Sequence, residues 1–248
     1  MPLIIFLVLL FAVPLQAHAI INAEDIDLPA NTEGVAGKVG LSVNGSSGNT
    51  AKVNGEASGR LRWQHGRHTE MAVASYAYGK SRGRRDTNKA FGHLRHRFAL
   101  DQNWDIEAFG QLQQDEFARL KLRTLLGGGM RWSESDEHWG VHIGLGSFFE
   151  REALRGTNAP ATRLWRMNSY LSFQYILNDH VRLQNTVYYQ PAWKTPADFR
   201  LLDDAAMKVS LTDGLALRLS VETAHDSRPP TGIKATDVSY KTALEYAF

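Results

Sequence analysis

Ala51-Lys-Val-Asn-Gly-Glu-Ala-Ser-Gly-Arg-Leu-Arg-Trp-Gln64 is the stretch that decides the fold class. In an extended chain, Ala51, Val53, Gly55, Ala57, Gly59, Leu61 and Trp63 share one face. Lys52, Asn54, Glu56, Ser58, Arg60, Arg62 and Gln64 share the other, because successive side chains of a strand point to opposite sides. Such a strand divides an apolar medium from water.

The same division recurs along the chain. Val35, Val39, Leu41 and Val43 oppose Lys38 and Ser42; Trp104, Ile106, Ala108 and Leu112 oppose Asp105, Glu107 and Gln111. Leu120, Leu122, Leu126, Met130 and Trp132 oppose Arg119, Lys121, Arg123 and Arg131, and Trp139, Val141, Ile143 and Leu145 oppose His142 and Glu150. Trp165, Met167 and Leu171 stand against Arg166 and Asn168, Val181 and Leu183 against Arg182, and Leu215 and Leu219 against Arg218 and Glu222. Residues 71–78 are apolar on both faces, and 91–100 carry His96 on an otherwise apolar face. No helical stripe emerges.

The 248 residues are 43% hydrophobic and 22% charged, with 28 Lys and Arg against 26 Asp and Glu. That balance argues against a nucleic-acid partner, and 10% aromatic content argues against disorder. Mean hydropathy of -0.32 has the look of a soluble protein, yet a transmembrane barrel averages lumen and lipid faces to a similar value. The absence of cysteine removes disulfides, thiolate catalysis and cysteine-based zinc sites.

A soluble sandwich also alternates, so the makeup of the apolar faces decides between the two. Their central stretches in the well-patterned segments carry no Lys, Arg, Asp or Glu, as expected where a Lys or Arg at the bilayer midplane costs about 2–4 kcal/mol. Trp63, Trp104, Trp132, Trp139 and Trp165 fall at strand ends on the apolar face, the place for an interfacial girdle. Counting segments predicts twelve antiparallel strands in one closed transmembrane β-barrel over residues 34–248, with both ends periplasmic. Short periplasmic turns are expected to alternate with longer outer links, among them Lys80 to Ala90 and Lys194 to Phe199.

Residues 3–13 are an uninterrupted apolar run, followed by Pro14 and Ala17-His18-Ala19. The run is too short to span a bilayer as a helix, so residues 1–19 read as a cleaved signal peptide and 20–33 as a periplasmic lead-in. The expected location is the outer membrane of a Gram-negative bacterium.

The final strand, ending Tyr246-Ala-Phe248, resembles the C-terminal signature that the outer-membrane assembly machinery reads. Ser47-Gly-Asn-Thr50, Arg123-Thr-Leu-Leu-Gly-Gly-Gly-Met130, Gly144-x-Gly146 with Phe149-Glu-Arg-Glu152, and Asp226-Ser-Arg-Pro-Pro-Thr-Gly-Ile-Lys-Ala-Thr-Asp237 together resemble the salt-induced outer-membrane protein family, domain of unknown function 481. The likeness covers nearly the whole mature chain. It implies a Gram-negative outer-membrane barrel of unassigned activity and supplies no catalytic residue.

The alternation sends Lys38, Lys52, Glu56, Arg60, Arg62, Asp105, Glu107, Arg119, Lys121, Arg123, Arg131, Glu150, Arg166, Arg182, Lys208, Arg218, Glu222 and Glu245 to the lumen. Two readings stand side by side: a water-filled, mildly anion-preferring passage, and a ladder of ion pairs that fills and stiffens the interior. The functional expectation is accordingly an envelope structural or stress component, or a narrow passage for small solutes.

The alternative is a lipid-modifying serine hydrolase on the outer wall. Ser147 and Ser169 face outward on adjacent strands, but the outward His96 and His225 lie on distant ones. His65 and His68 flank a tight turn, and His93 and His96 point to opposite faces. The sequence therefore calls for no catalytic residue, no metal and no cofactor. Expected partners are outer-membrane lipids, lipopolysaccharide at the basic segment Arg82, Arg84, Arg85 and Lys89, and the assembly machinery, with no nucleic acid. Gly127-Gly-Gly129 lies in a strand and is read as relief of crowding or room for curvature.

Overall fold

A computed structural model describes residues 33–46, 52–156 and 160–248. The expected signal peptide, nearly all of the lead-in and the Ser47–Thr50 motif lie outside those residues. The chain forms twelve antiparallel strands: β1 (Gly34–Ser46), β2 (Lys52–His65), β3 (His68–Ser81), β4 (Arg84–Ala99), β5 (Trp104–Asp115), β6 (Leu120–Ser135), β7 (Trp139–Leu154), β8 (Thr162–Ile176), β9 (Val181–Ala192), β10 (Thr195–Ser210), β11 (Leu215–Asp226) and β12 (Thr236–Ala247). Each strand pairs with its sequence neighbours, and β1 pairs with β12 to close the barrel. No helix appears among the described residues.

Alternation decides which way each side chain points. Leu41, Val53, Leu61, Leu126 and Leu145 are exposed on the outer wall while Lys38, Arg62, Arg131 and Glu150 are buried inside. In a soluble protein this would be an inverted core; around a barrel in lipid it is the order that solvation demands. The stretch that the sequence left open resolves the same way: Met71 and Val73 point inward and are buried, while Tyr76 and Tyr78 face out.

Strand ends near the termini turn at 66–67, 100–103, 136–138, 177–180 and 211–214. The opposite, loop-bearing rim is less elaborate than the sequence suggested. Two of its expected long links close as two-residue turns, Arg82-Gly83 and Trp193-Lys194. Arg82 (φ 50) and Gly83 (φ 75) both sit in the left-handed region, as a primed hairpin turn requires. Irregularities at Gly79/Lys80 and Thr195/Phe199 take up the remaining residues within the sheet.

Four of the tryptophans in the expected girdle, Trp63, Trp104, Trp132 and Trp139, lie toward the terminal rim, and Trp104 pairs directly with Trp132. Trp165 lies at the loop rim beside the sixth, Trp193, whose amide bonds the Trp165 carbonyl at 3.0 Å. At the other end of the chain, Phe248 exchanges two backbone hydrogen bonds with Gly37, each 2.9 Å. Its ring occupies space that a Cβ on Gly37 would fill.

Candidate functional site in the lumen

The interior divides into two unlike halves. On the side of β4 to β10 it is filled. Glu150 on β7 is contacted by the guanidinium groups of Arg200 (β10), Arg166 (β8, 3.4 Å) and Arg123 (β6, 3.8 Å). Glu152 takes Arg123 at 2.6 Å and Arg200 at 2.9 Å, Asp226 takes Arg200 at 3.1 Å, and Asp198 takes Arg166 at 2.8 Å. Three cations and four carboxylates thus interlock across strands β6 to β11, each group repaying the desolvation of its neighbours.

Toward the terminal rim, two apolar clusters continue the filling: Phe109, Leu125 and Phe148, and Tyr170, Tyr188, Leu202 and Ala224. Below them Glu107 on β5 pairs with Arg95 (3.3 Å) and Arg97 (3.5 Å) of β4. The Tyr170 hydroxyl of β8 reaches over to the same carboxylate, donating at 3.1 Å. Gly144 makes that reach possible, because any Cβ there would collide with the Tyr170 ring. A Cβ on Gly129 or Gly146 would likewise strike backbone of the adjoining strand, so these glycines let the β6 and β7 backbones approach closely.

The other half, bounded by β1 to β3 and β9 to β12, encloses a polar cavity of about 120 Å³, room for several water molecules. Lys38, Arg60, Arg218 and Lys241 face Glu56, Asp204, Glu222 and Glu245 around it. Lys241 meets Glu56 at 3.3 Å and Arg218 meets Asp204 at 3.2 Å, while Lys38 and Glu245 are 3.8 Å apart. Four cations against four carboxylates leave no excess of positive charge, so the lining gives no basis for the expected anion preference.

Of the residues assigned to the lumen by alternation, Lys52, Glu56, Arg60, Arg62, Asp105, Glu107, Arg123, Arg131, Glu150, Arg166, Arg182, Arg218 and Glu222 share the inward face of their strands. Arg119 and Lys121 do not. An irregularity between Leu120 and Leu122 inserts one residue into β6 and reverses the alternation behind it. Leu120, expected outside, is completely buried, and Lys121 is exposed.

Arg119 (φ 59) sits in the β5–β6 turn, which Asp115 caps by accepting from the Phe117 and Ala118 amides at 3.0 Å. From there Arg119 Nη1 donates to the Thr231 carbonyl at 3.0 Å. Thr231 belongs to the β11–β12 loop, six strands away around the barrel, so the contact straps the mouth.

Arg200, Asp226 and Arg95, central to the filled half, are not among the residues that the sequence assigns to the lumen. Arg200 begins an Arg-Leu-Leu-Asp-Asp-Ala-Ala segment with Asp203 facing outward against Asn185, which obscures the alternation. Within the basic segment, Arg85 pairs with Glu116 at 2.6 Å and Lys89 with Asp115 at 3.7 Å.

The outer-wall serines are tied to the sheet. Ser147 donates to the Arg166 carbonyl and accepts from Trp193 Nε1, and Ser169 donates to the Tyr189 carbonyl. His96 instead meets Glu70 at 2.7 Å and His225 meets Thr236 at 2.8 Å. The serine-hydrolase alternative therefore has no nucleophile–base pair to stand on. Among the described residues no group of three or more His, Asp or Glu is placed to hold a metal ion.

A closed antiparallel cylinder with an apolar outside and a charged inside is an outer-membrane β-barrel. The chain belongs to the family described as protein of unknown function, DUF481, whose model matches residues 39–248. No curated protein matches it.

Among solved structures, the chain is similar to the COG4313 outer membrane channel from Pseudomonas putida F1, at 13% identity over 91% of this chain and 99% of that one, with a TM-score of 0.55. It is also similar to the NanC porin, at 10% identity over 85% and 98%, with a TM-score of 0.54. At such identities the likeness is one of fold, and it indicates an outer-membrane location.

Proposed function

We propose that the protein is a narrow outer-membrane passage for small polar solutes of little net charge. The observation that carries this reading is the charge-balanced cavity running beside a filled half-lumen. With the termini in the periplasm, as is general for such barrels, the Arg119–Thr231 strap lies at the outer mouth. Purified protein in planar bilayers is expected to give discrete, small conductance steps with weak ion preference. Absence of steps overturns the passage.

A second reading, a structural wall of the envelope, is favoured by the interlocked Glu150 network, and it is the one left if conductance is absent. Lipopolysaccharide at the Arg82–Arg85 turn and recognition of Tyr246 and Phe248 by the assembly machinery belong to the same proposal. So does salt induction, checked by transcript level after a salt shift.

A further inference from the structure

We infer that the seam between β1 and β12 is a lateral portal, through which a single-chain amphipath with a zwitterionic phosphate head group enters the lumen cavity from the surrounding leaflet. This deepens the passage proposed above and rests on it for the route beyond the cavity.

The closing pair of strands is joined over only part of its length. Pairing runs from Lys38↔Ala247 to Leu41↔Leu244 and there it stops, although β1 continues to Ser46 and β12 begins at Thr236. Beyond that point each strand keeps its other neighbour: β1 pairs with β2 up to Ser46↔Lys52, and β11 with β12 up to His225↔Thr236. Among the described residues, then, Ser42–Ser46 and Thr236–Ala243 pair on one side alone.

Unpaired backbone facing hydrocarbon costs several kcal/mol per group, and it is tolerated at membrane depth only where it lines water. A polar cavity is what lies behind it. Ser42, Lys241 and Ala243, at the point where pairing ends, are part of the cavity wall.

The two sides of this opening differ in chemistry. Its outer lips are Leu41, Val43, Tyr240 and Leu244, with Val43 79% and Tyr240 67% exposed. Just inside, Lys241 of β12 reaches behind β1 to Glu56 of β2, 3.3 Å away. A cation and a carboxylate facing each other across the inner end of an apolar slot match a phosphate on Lys241, an ammonium on Glu56 and an alkyl chain left between the lips.

The chain has no cysteine, so a staple can be placed cleanly. Val43→Cys with Thr242→Cys, joined by a short bis-maleimide, ties the strands in the unpaired region. Leu41→Cys with Leu244→Cys, joined in the same way, ties them where they already pair. The probe is lysophosphatidylcholine carrying a photoreactive group in its chain, read by conductance in planar bilayers and by labelling of Ala243.

Lysophosphatidylcholine is expected to lower the conductance steps of the unlinked protein and of the 41/244 staple, and to lose this effect with the 43/242 staple, whose own steps persist. Labelling of Ala243 is expected to fall in parallel. If steps persist and the 43/242 staple leaves block and labelling unchanged, the portal is overturned while the passage stands. If no variant conducts, the passage fails and labelling alone decides: loss on 43/242 stapling supports entry at the seam, and indifference to stapling overturns it.

Discussion

The two halves of the lumen are built from the same residue types and differ in how completely those residues meet. In the half around Glu150, that carboxylate and its three arginines each have partners from two or more strands and are sealed from water. Around the Lys38–Glu245 half, ion pairs are longer, several side chains stay partly solvated, and space remains between them. Charge content alone thus does not separate plug from passage. What separates them is the large apolar filling by Phe148, Tyr170, Tyr188 and Leu202, the buried aromatic and aliphatic clusters among the described residues, which lie beside the Glu150 network.

Removing the hub of the filled half gives the largest expected effect. Glu150→Ala leaves three guanidinium groups without their shared carboxylate, and its loss is expected to destabilise the barrel by about 3–5 kcal/mol. Denaturant unfolding in lipid vesicles reads this, and a change near zero would mean that water already screens the network.

Next comes Gly144→Ala, which pushes Tyr170 off its path to Glu107 and is expected to cost about 1–3 kcal/mol. Tyr170→Phe, which removes only the hydroxyl donor, is expected to cost about 1 kcal/mol in the same assay. If the two cost the same, the ring position is irrelevant and the hydroxyl alone matters.

In the open half the comparison predicts a change of selectivity with little change of stability. Glu56→Gln with Glu222→Gln leaves four cations against two carboxylates, and it is expected to move the reversal potential in a salt gradient toward anions. An unmoved reversal potential would show that ions do not pass by these side chains.

The smallest effect lies outside the barrel wall, at the β5–β6 turn. The hydrogen bond from Asn88 holds the Glu116 carboxyl below the usual carboxylate range, and the nearby Arg85 guanidinium adds to this. A depressed value means that the contribution is present above the ordinary glutamate range and fades as pH falls through the lowered one. A lower protection factor for the Glu116 amide, which bonds the Asn88 carbonyl at 3.1 Å, relative to intrinsic exchange at the same pH, is the expected sign on acidification.

Much of the wall was legible because a two-residue period repeats from strand to strand and a membrane disfavours charge on its lipid side, Asp203 against Asn185 being an outward exception. One place where it was not legible is an offset in the local count of residues. At β6 one inserted residue sends Leu120 inward and Lys121 outward, and no composition signal marks it. In the 80–90 segment the Arg82-Gly83 pair was the available turn signal, and polar residues on both sides masked it. The filled half was also hidden, since Arg200 and Glu150 are 50 residues apart and only strand order brings them together.

By itself the sequence determined the strand count, the direction of nearly every side chain and the closure into a cylinder, because each follows from local alternation and from the need to satisfy backbone groups without water. Which inward charges meet, which side of the interior closes, and where β1 and β12 stop pairing were decided by the tertiary structure. Those outcomes depend on register, on bulges and on close approaches at glycines summed around twelve strands, and no single segment carries them.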